Sequence, residues 1–130
     1  MSNVSSEIIN SIQQSKIIVV LVIEDDSKAS DLIDCLYDSG IKNYEIALRT
    51  NKSRKSADII LKKGLDINLG LGTVLTIDDV NFAADIGANF ALAPGTNKTV
   101  IDEANRLNLP FFPVVCTPSD IEKANELGCS

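Results

Sequence analysis

The sequence contains no histidine. That absence removes His-based triads, His-ligated zinc and imidazole acid–base chemistry together. Basic charge is also in deficit: Lys and Arg number 12 against 18 Asp and Glu, a net charge of −6. A groove for nucleic acid or a face for an anionic membrane is not expected from such a balance. Cysteine is scarce and odd in number, with Cys35, Cys116 and Cys129 widely spaced and no C-x-x-C pair. Neither a disulfide framework nor a zinc cluster follows, and small buried or inert thiols in a reducing cytoplasm are expected. No apolar run approaches the ~20 residues of a membrane span; the longest runs from Ile17 to Ile23. The N-terminal Met-Ser-Asn-Val-Ser-Ser-Glu lacks the basic and apolar regions of a signal peptide. The expectation is a soluble cytoplasmic protein with no metal and no cofactor.

The 130 residues are 45% hydrophobic and 23% charged, which is ordinary globular usage. One core can be built at this length, so a single domain spanning 1–130 is expected. An ordinary closed (β/α)8 barrel of ~250 residues does not fit.

What the sequence does contain is a rhythm of helix stops. Gly40, Gly64, Gly87, Asn108 and Gly128 each follow a helical pattern, at spacings of 24, 23, 21 and 20 residues. Gly or Asn there suits the left-handed residue that closes a helix, and a period in this range marks stacked supersecondary units. Each unit reads as a strand and then a helix. Strands are predicted over 17–23, 44–48, 67–71, 90–93 and 111–115, with helices near 27–39, 52–63, 77–86, 98–107 and 118–127. A further helix is predicted near 4–14. Thr76 with Asp79 and Thr117 with Asp120 form capping boxes, and Pro118 fits the first helical position. Alternating strands and helices without hairpin signals give a parallel α/β sheet. Two architectures share that pattern: an open doubly wound sheet, or part of a barrel.

The segment Asn43-Tyr44-Glu45-Ile46-Ala47-Leu48-Arg49-Thr50 bears on the choice. Strand alternation sets Glu45, Ala47 and Arg49 on one face and Tyr44, Ile46 and Leu48 on the other. With helices covering both faces of a sheet, Glu45 would be buried at severe cost. In a barrel it points inward, where a carboxylate and a guanidinium can flank a ligand over the small Ala47. A buried Glu–Arg pair is the plainer reading. On the next strand Asn68, Gly70 and Gly72 share a face, and beyond it Ala91 and Ala93 form a small pair leading to Pro94-Gly95. These small residues are expected to leave a pocket, where a packed barrel interior would use Val, Ile and Leu.

Two weaker patterns carry less. Gly70-x-Gly72 lacks a third glycine and opens no helix, so it does not read as a nucleotide loop. Glu24-Asp25-Asp26 after the first strand resembles the acidic pair of a receiver module, and a small flavodoxin-like α/β binding or receiver module is the alternative reading. The positions where such a module places its phosphoacceptor Asp and its Lys hold Gly72-Thr73 and Cys116-Thr117. Capping of the following helix by Asp25 or Asp26 is the simpler role.

From about Lys16 to Gly128 the sequence resembles the 2-keto-3-deoxy-6-phosphogluconate / 2-keto-4-hydroxyglutarate (KDPG/KHG) aldolase family. Glu45-Ile46-Ala47-Leu48-Arg49-Thr50 is similar to the family's E-[VI]-x-[LF]-R-T, and Gly70-Leu71-Gly72-Thr73-Val74 to its G-A-G-T-V. Pro94-Gly95 and Thr117-Pro118-Ser119-Asp120 fall at the family's P-G and T-P-[ST]-[ED] segments. The resemblance implies (β/α)8-type units, here about five of eight with an extra N-terminal helix, and a usually trimeric assembly. It also implies class I retro-aldol cleavage of a 2-keto-4-hydroxy acid to pyruvate and an aldehyde, through a lysine Schiff base. By the same resemblance Glu45 is the catalytic general acid/base, Arg49 and Thr73 hold the pyruvate carboxylate, and Pro94 and Gly95 belong to the substrate site. The partners implied are a small keto-acid substrate and further copies of the chain.

Departures from the family pattern are Val19 for a frequent Pro, Ala93 for a common Ser, and Val114 where Gly usually follows Pro. Val114 is expected to crowd the pocket. The family's Schiff-base lysine lies in a K-[FL]-F-P segment of a sixth strand, expected beyond Ser130. None of the lysines from Lys16 to Lys123 stands at the C-terminal end of a predicted strand; Lys98 comes nearest and reads as a helix start. These 130 residues alone are therefore expected to form no Schiff base.

Overall fold

The computed structural model describes residues 6–129. Helix α1 (Ser6–Ser15) leads into β1 (Val19–Leu21), and a single 3-10 turn at Asp26–Lys28 opens α2 (Ala29–Asp38). There follow β2 (Asn43–Ala47), α3 (Ser53–Lys62), β3 (Asn68–Gly72), α4 (Ile77–Asp85), β4 (Phe90–Ala93), α5 (Lys98–Arg106), β5 (Phe111–Pro113) and α6 (Pro118–Glu126). The five predicted units and the extra first helix are all present; positions 4 and 5 of that helix lie outside the described residues. The outermost strands are shorter than expected. β1 and β5 each pair on one side only, so part of each backbone has no ladder to hold it extended.

Helix ends follow local chemistry. All five predicted stops have positive φ, from 55° at Asn108 to 84° at Gly40 and Gly128. At four of them the next residue, Ile41, Ala88, Leu109 or Cys129, donates its N–H to the carbonyl five residues back. That bond satisfies a carbonyl the helix leaves open. Both capping boxes form: the Thr76 and Thr117 hydroxyls accept from the backbone of Asp79 and Asp120, whose carboxylates accept in return. Asp25 caps the 3-10 turn by accepting from the Ser27 N–H. Asp26 instead forms ion pairs with Lys52 and Lys55 of the β2–α3 region.

Topology separates the two architectures. All neighbouring strands are parallel, and their order is β1-β2-β3-β4-β5. A flavodoxin-like or receiver sheet reverses direction, with order 2-1-3-4-5. A sheet that advances one strand per right-handed crossover keeps its helices on one face, and α2 contacts α3 as α4 contacts α5. This is the TIM-barrel type of α/β fold, with five units as a partial barrel, and the receiver reading is not supported.

The core lies between the sheet and its helices. Tyr44, Ile46, Leu69, Leu71, Ala91 and Phe111 face the helices and are buried. The opposite, inner face carries Val20, Glu45, Gly70 and Phe90 in one register row, and Ala47 with Gly72 in the next. At its N-terminal end α1 is tied down by the buried Asn43, whose Oδ1 accepts from Ser11 Oγ (3.0 Å) and Asn68 Nδ2 (2.8 Å), while its Nδ2 donates to Ser15 Oγ (2.8 Å). Val20 and Val22 on the open side of β1 remain 54% and 49% exposed.

The β4 expectation needs correction. Ala91 is in register with Leu71 and Phe111, so it faces the helices. Phe90 and Leu92 take the inner face. The thiols are also less buried than expected: Cys35 and Cys116 are exposed and Cys129 is half-buried.

Candidate active site

The C-terminal ends of β2, β3 and β4 carry four of the five predicted residues, Glu45, Arg49, Thr73 and Pro94, to one place. A cavity of about 150 Å³ is lined by Glu45, Arg49, Thr73, Leu92, Ala93, Pro94 and Val114. In (β/α)8 folds this end of the strands is where loops build active sites.

Local structure fixes the arginine. Beyond β2 the chain turns at once, with Leu48 N–H donating to Gly72 O (2.8 Å) and Arg49 N–H to Ala47 O (2.8 Å). Thr50 Oγ1 donates to Ile23 O (2.6 Å), which ties this turn to the end of β1. The buried Ser53 donates its hydroxyl to Ala47 O (2.8 Å). Arg49 is therefore carried on a turn pinned from two sides. Its Nε donates to Thr73 Oγ1 at 3.4 Å, a long bond. Among the described residues no carboxylate lies within 4.0 Å of its guanidinium, since every recorded ion pair involves other cations. The buried Glu45–Arg49 pair that the sequence also allowed is not formed.

Thr73 has φ 60°, a left-handed conformation that a β-branched residue adopts only when its surroundings impose it. The surroundings are visible: β3 ends at Gly72, and Val74 N–H is already held by Leu92 O on β4 (3.0 Å). Within one residue the chain must leave the sheet, and the Thr73 side chain lands beside Arg49.

The Glu45 side chain projects from the inner face, and its carboxylate makes no hydrogen bond to another described residue. Burial pushes its carboxyl above the ordinary carboxylate value, and the positive charge of Arg49 partly opposes that rise. A carboxyl raised in this way gives up its proton less readily than an exposed one, which suits a group that carries a proton in both directions.

The small residues do not leave the empty floor expected of them. The vacancy over Gly70 is filled by the ring of Phe90, and that over Gly72 by the Glu45 carboxylate. Phe90 is itself buried and meets Phe112 edge-to-face at 5.9 Å. Phe90 and Leu92 are the inner-face residues that sequence reasoning missed, although the cross-strand fit of a large ring to a glycine was a possible signal.

Gly95 is not in the Glu45 cavity. It lines an adjoining, more open cavity of about 600 Å³ with Pro94, which borders both, and with Lys98 and Lys123. Lys98 begins α5 as predicted and bonds Asp102 (2.5 Å). No lysine lines the Glu45 cavity. A third cavity, about 270 Å³ along β5 and α6, is apolar and carries no carboxylate, guanidinium or amine. Val114 does border the Glu45 cavity, as expected. Among the described residues no group of three or more Cys, Asp or Glu side chains is placed to hold a metal, and no helix is long and apolar enough to cross a membrane.

Strand order and site together define a class: a TIM-barrel-type chain with a carboxyl, a guanidinium and a threonine hydroxyl gathered at the C-terminal ends of adjacent strands. The family model for KDPG and KHG aldolases matches residues 8–130, and the chain belongs to that family. It is 31% identical over 130 residues to a 2-dehydro-3-deoxy-phosphogluconate aldolase of Haemophilus influenzae, covering all of this chain and 61% of the relative. It is 30% identical over 123 residues to the enzyme of that description from Treponema pallidum, covering 95% of this chain and 59% of the relative. A crystal structure of Legionella pneumophila KDPG aldolase, with pyruvate captured as a covalent carbinolamine, superposes with a TM-score of 0.81 at 28% identity. That match covers 85% of this chain and 54% of the other. The chain thus spans well under two-thirds of the length of these relatives.

Proposed function

We propose that these residues supply the keto-acid-binding and proton-transfer part of a class I aldolase, which cleaves 2-keto-3-deoxy-6-phosphogluconate or 2-keto-4-hydroxyglutarate to pyruvate and an aldehyde. The observation that carries this reading is the single cavity shared by Glu45, Arg49 and Thr73. Arg49 has no carboxylate partner of its own, and a guanidinium suits bidentate binding of a substrate carboxylate. Thr73 adds a hydroxyl to that contact. Pro94, which donates no N–H, walls the site, and Gly95 lets the backbone of the adjoining cavity approach substrate.

In the proposed cleavage a lysine amine condenses with the C2 carbonyl, releasing water and leaving an iminium. A base removes the C4 hydroxyl proton, the C3–C4 bond breaks, and its electron pair moves into the iminium to give an enamine as the aldehyde departs. Protonation at C3 and hydrolysis of the imine then yield pyruvate and the free amine. Glu45 is the proton carrier, the role its raised carboxyl suits. The amine is not among the lysines described, because none reaches the cavity. The single domain 1–130 is proposed as the N-terminal part of an aldolase-type barrel, working in the cytoplasm as a homo-oligomer, a trimer as the family resemblance implies. The net charge of −6 favours small-molecule substrates over nucleic acid as partners.

Pyruvate binding is the test. At a pyruvate concentration of 100 times Kd the chain should gain about 2.7 kcal/mol against unfolding, with no borohydride-trapped adduct. Arg49→Ala should weaken pyruvate by ~1.5–3 kcal/mol, the worth of hydrogen bonds to a charged group. Stabilisation that survives Arg49→Ala unchanged would contradict the assignment.

A further inference from the structure

Gly70 and Gly72 are both hemmed in, but by different things. β2 and β3 pair so that Glu45 stands beside Gly70 and Ala47 beside Gly72. The Glu45 side chain leans along its strand toward the C-terminal end, as strand side chains do. Its carboxylate therefore lies diagonally over Gly72. A Cβ at Gly72 would overlap Glu45 Oε1, and would fall 2.5 Å from Cδ and 2.9 Å from Cγ. At Gly70 the same atom would run into the buried ring of Phe90.

The backbone gives no separate reason for glycine at 72. Its φ lies outside the left-handed region that Gly40, Gly64, Gly87 and Gly128 occupy, so alanine suits that conformation. What stands in the way of a methyl group is the far end of a flexible, half-buried side chain, where Gly70 faces a packed aromatic ring. β3 pairs with β2 through Gly72 and with β4 through Leu71, and Gly72 O and Val74 N–H are bonded on either side of it, so a methyl at 72 would displace the carboxylate, and the strand would stay in place.

We propose that Gly72 is a positioning residue for Glu45: by lacking a Cβ it leaves the niche, at the margin of the Arg49–Thr73 cavity, in which the carboxylate rests. The proposal deepens the aldolase reading and rests on it for the use made of that carboxylate. Its geometric content stands without turnover.

Gly72→Ala tests it. The variant should fold cooperatively, because only a side-chain tip must move. Glu45, driven from its niche toward water, should lose part of the burial that raises its carboxyl. A carbon-13 carboxyl titration by NMR should show Glu45 titrating at lower pH in Gly72→Ala than in the parent chain. A folded Gly72→Ala in which Glu45 titrates unchanged would overturn the proposal. Should Gly72→Ala not fold, Gly72→Ala with Glu45→Ala separates the causes: recovery of the fold supports the niche, and failure to recover overturns it. The titration uses no pyruvate, so it succeeds or fails independently of the pyruvate-binding test above.

Discussion

Glu45 is the residue to which the proposed cleavage assigns proton transfer, and its environment makes a pH signature. Its carboxyl is raised in the folded state, chiefly by burial, against the pull of Arg49. The folded chain thus holds this proton to higher pH than the unfolded chain does. The protonated form adds stability that is fully present below the ordinary carboxyl value of about 4.3 and is lost as pH rises through the folded value. Glu45→Gln keeps a neutral side chain at every pH. It should therefore match the parent in urea unfolding near pH 4 and exceed it at about pH 8, where the parent bears an ionised, half-buried carboxylate. A gap between the two that is constant with pH would deny the burial. Glu45, Arg49 and Thr73 were legible because each sits in a contiguous motif at the end of a strand. Phe90 was not, because its place depends on a glycine in the neighbouring strand. Alternation in Phe-Ala-Leu-Ala offers two apolar faces, and only register with Leu71 and Phe111 shows that Ala91 takes the helix side.

Elements were easier to read than faces, since their ends are decided by nearby groups. A left-handed residue at each helix stop and a threonine–aspartate box at α4 and α6 are local devices. They act within a turn of chain and leave their mark in sequence. Thr76→Ala removes the oxygen that accepts from Asp79 N–H (3.1 Å) and should cost about 1 kcal/mol, within ~0.5–2. Denaturant midpoints measure that loss directly, and an unchanged midpoint would show that the cap adds nothing. Its partner Asp79 also takes Arg54 Nη2 at 2.8 Å, and Arg54 reaches Asp78 at 2.6 Å and stacks over Phe82. The start of α4 is thereby bound to α3 as well as capped. Strand lengths were read less well at the sheet's edges, where β1 and β5 lack a second partner.

At the scale of the whole molecule, strand order separates two families of architecture that composition and periodicity leave open together. Five units in sequential order put the crossover helices α2–α5 on one face, which is why an ionisable Glu45 can face the other without being entombed. That inner face, with Glu45 toward the strands' C-terminal end and α1 tied across the other, carries the proposed site. Arg49 and Thr73 form the proposed carboxylate-binding corner, with Glu45 beside them as the proposed proton carrier. The most direct test is a pyruvate titration followed by backbone and side-chain NMR. Saturable shifts are expected at Glu45, the Arg49 Nε–H and Thr73, with α1 and the apolar groove along β5 and α6 unmoved. Shifts centred on that groove, or none at Arg49 and Thr73 at saturating pyruvate, would contradict the assignment of the site.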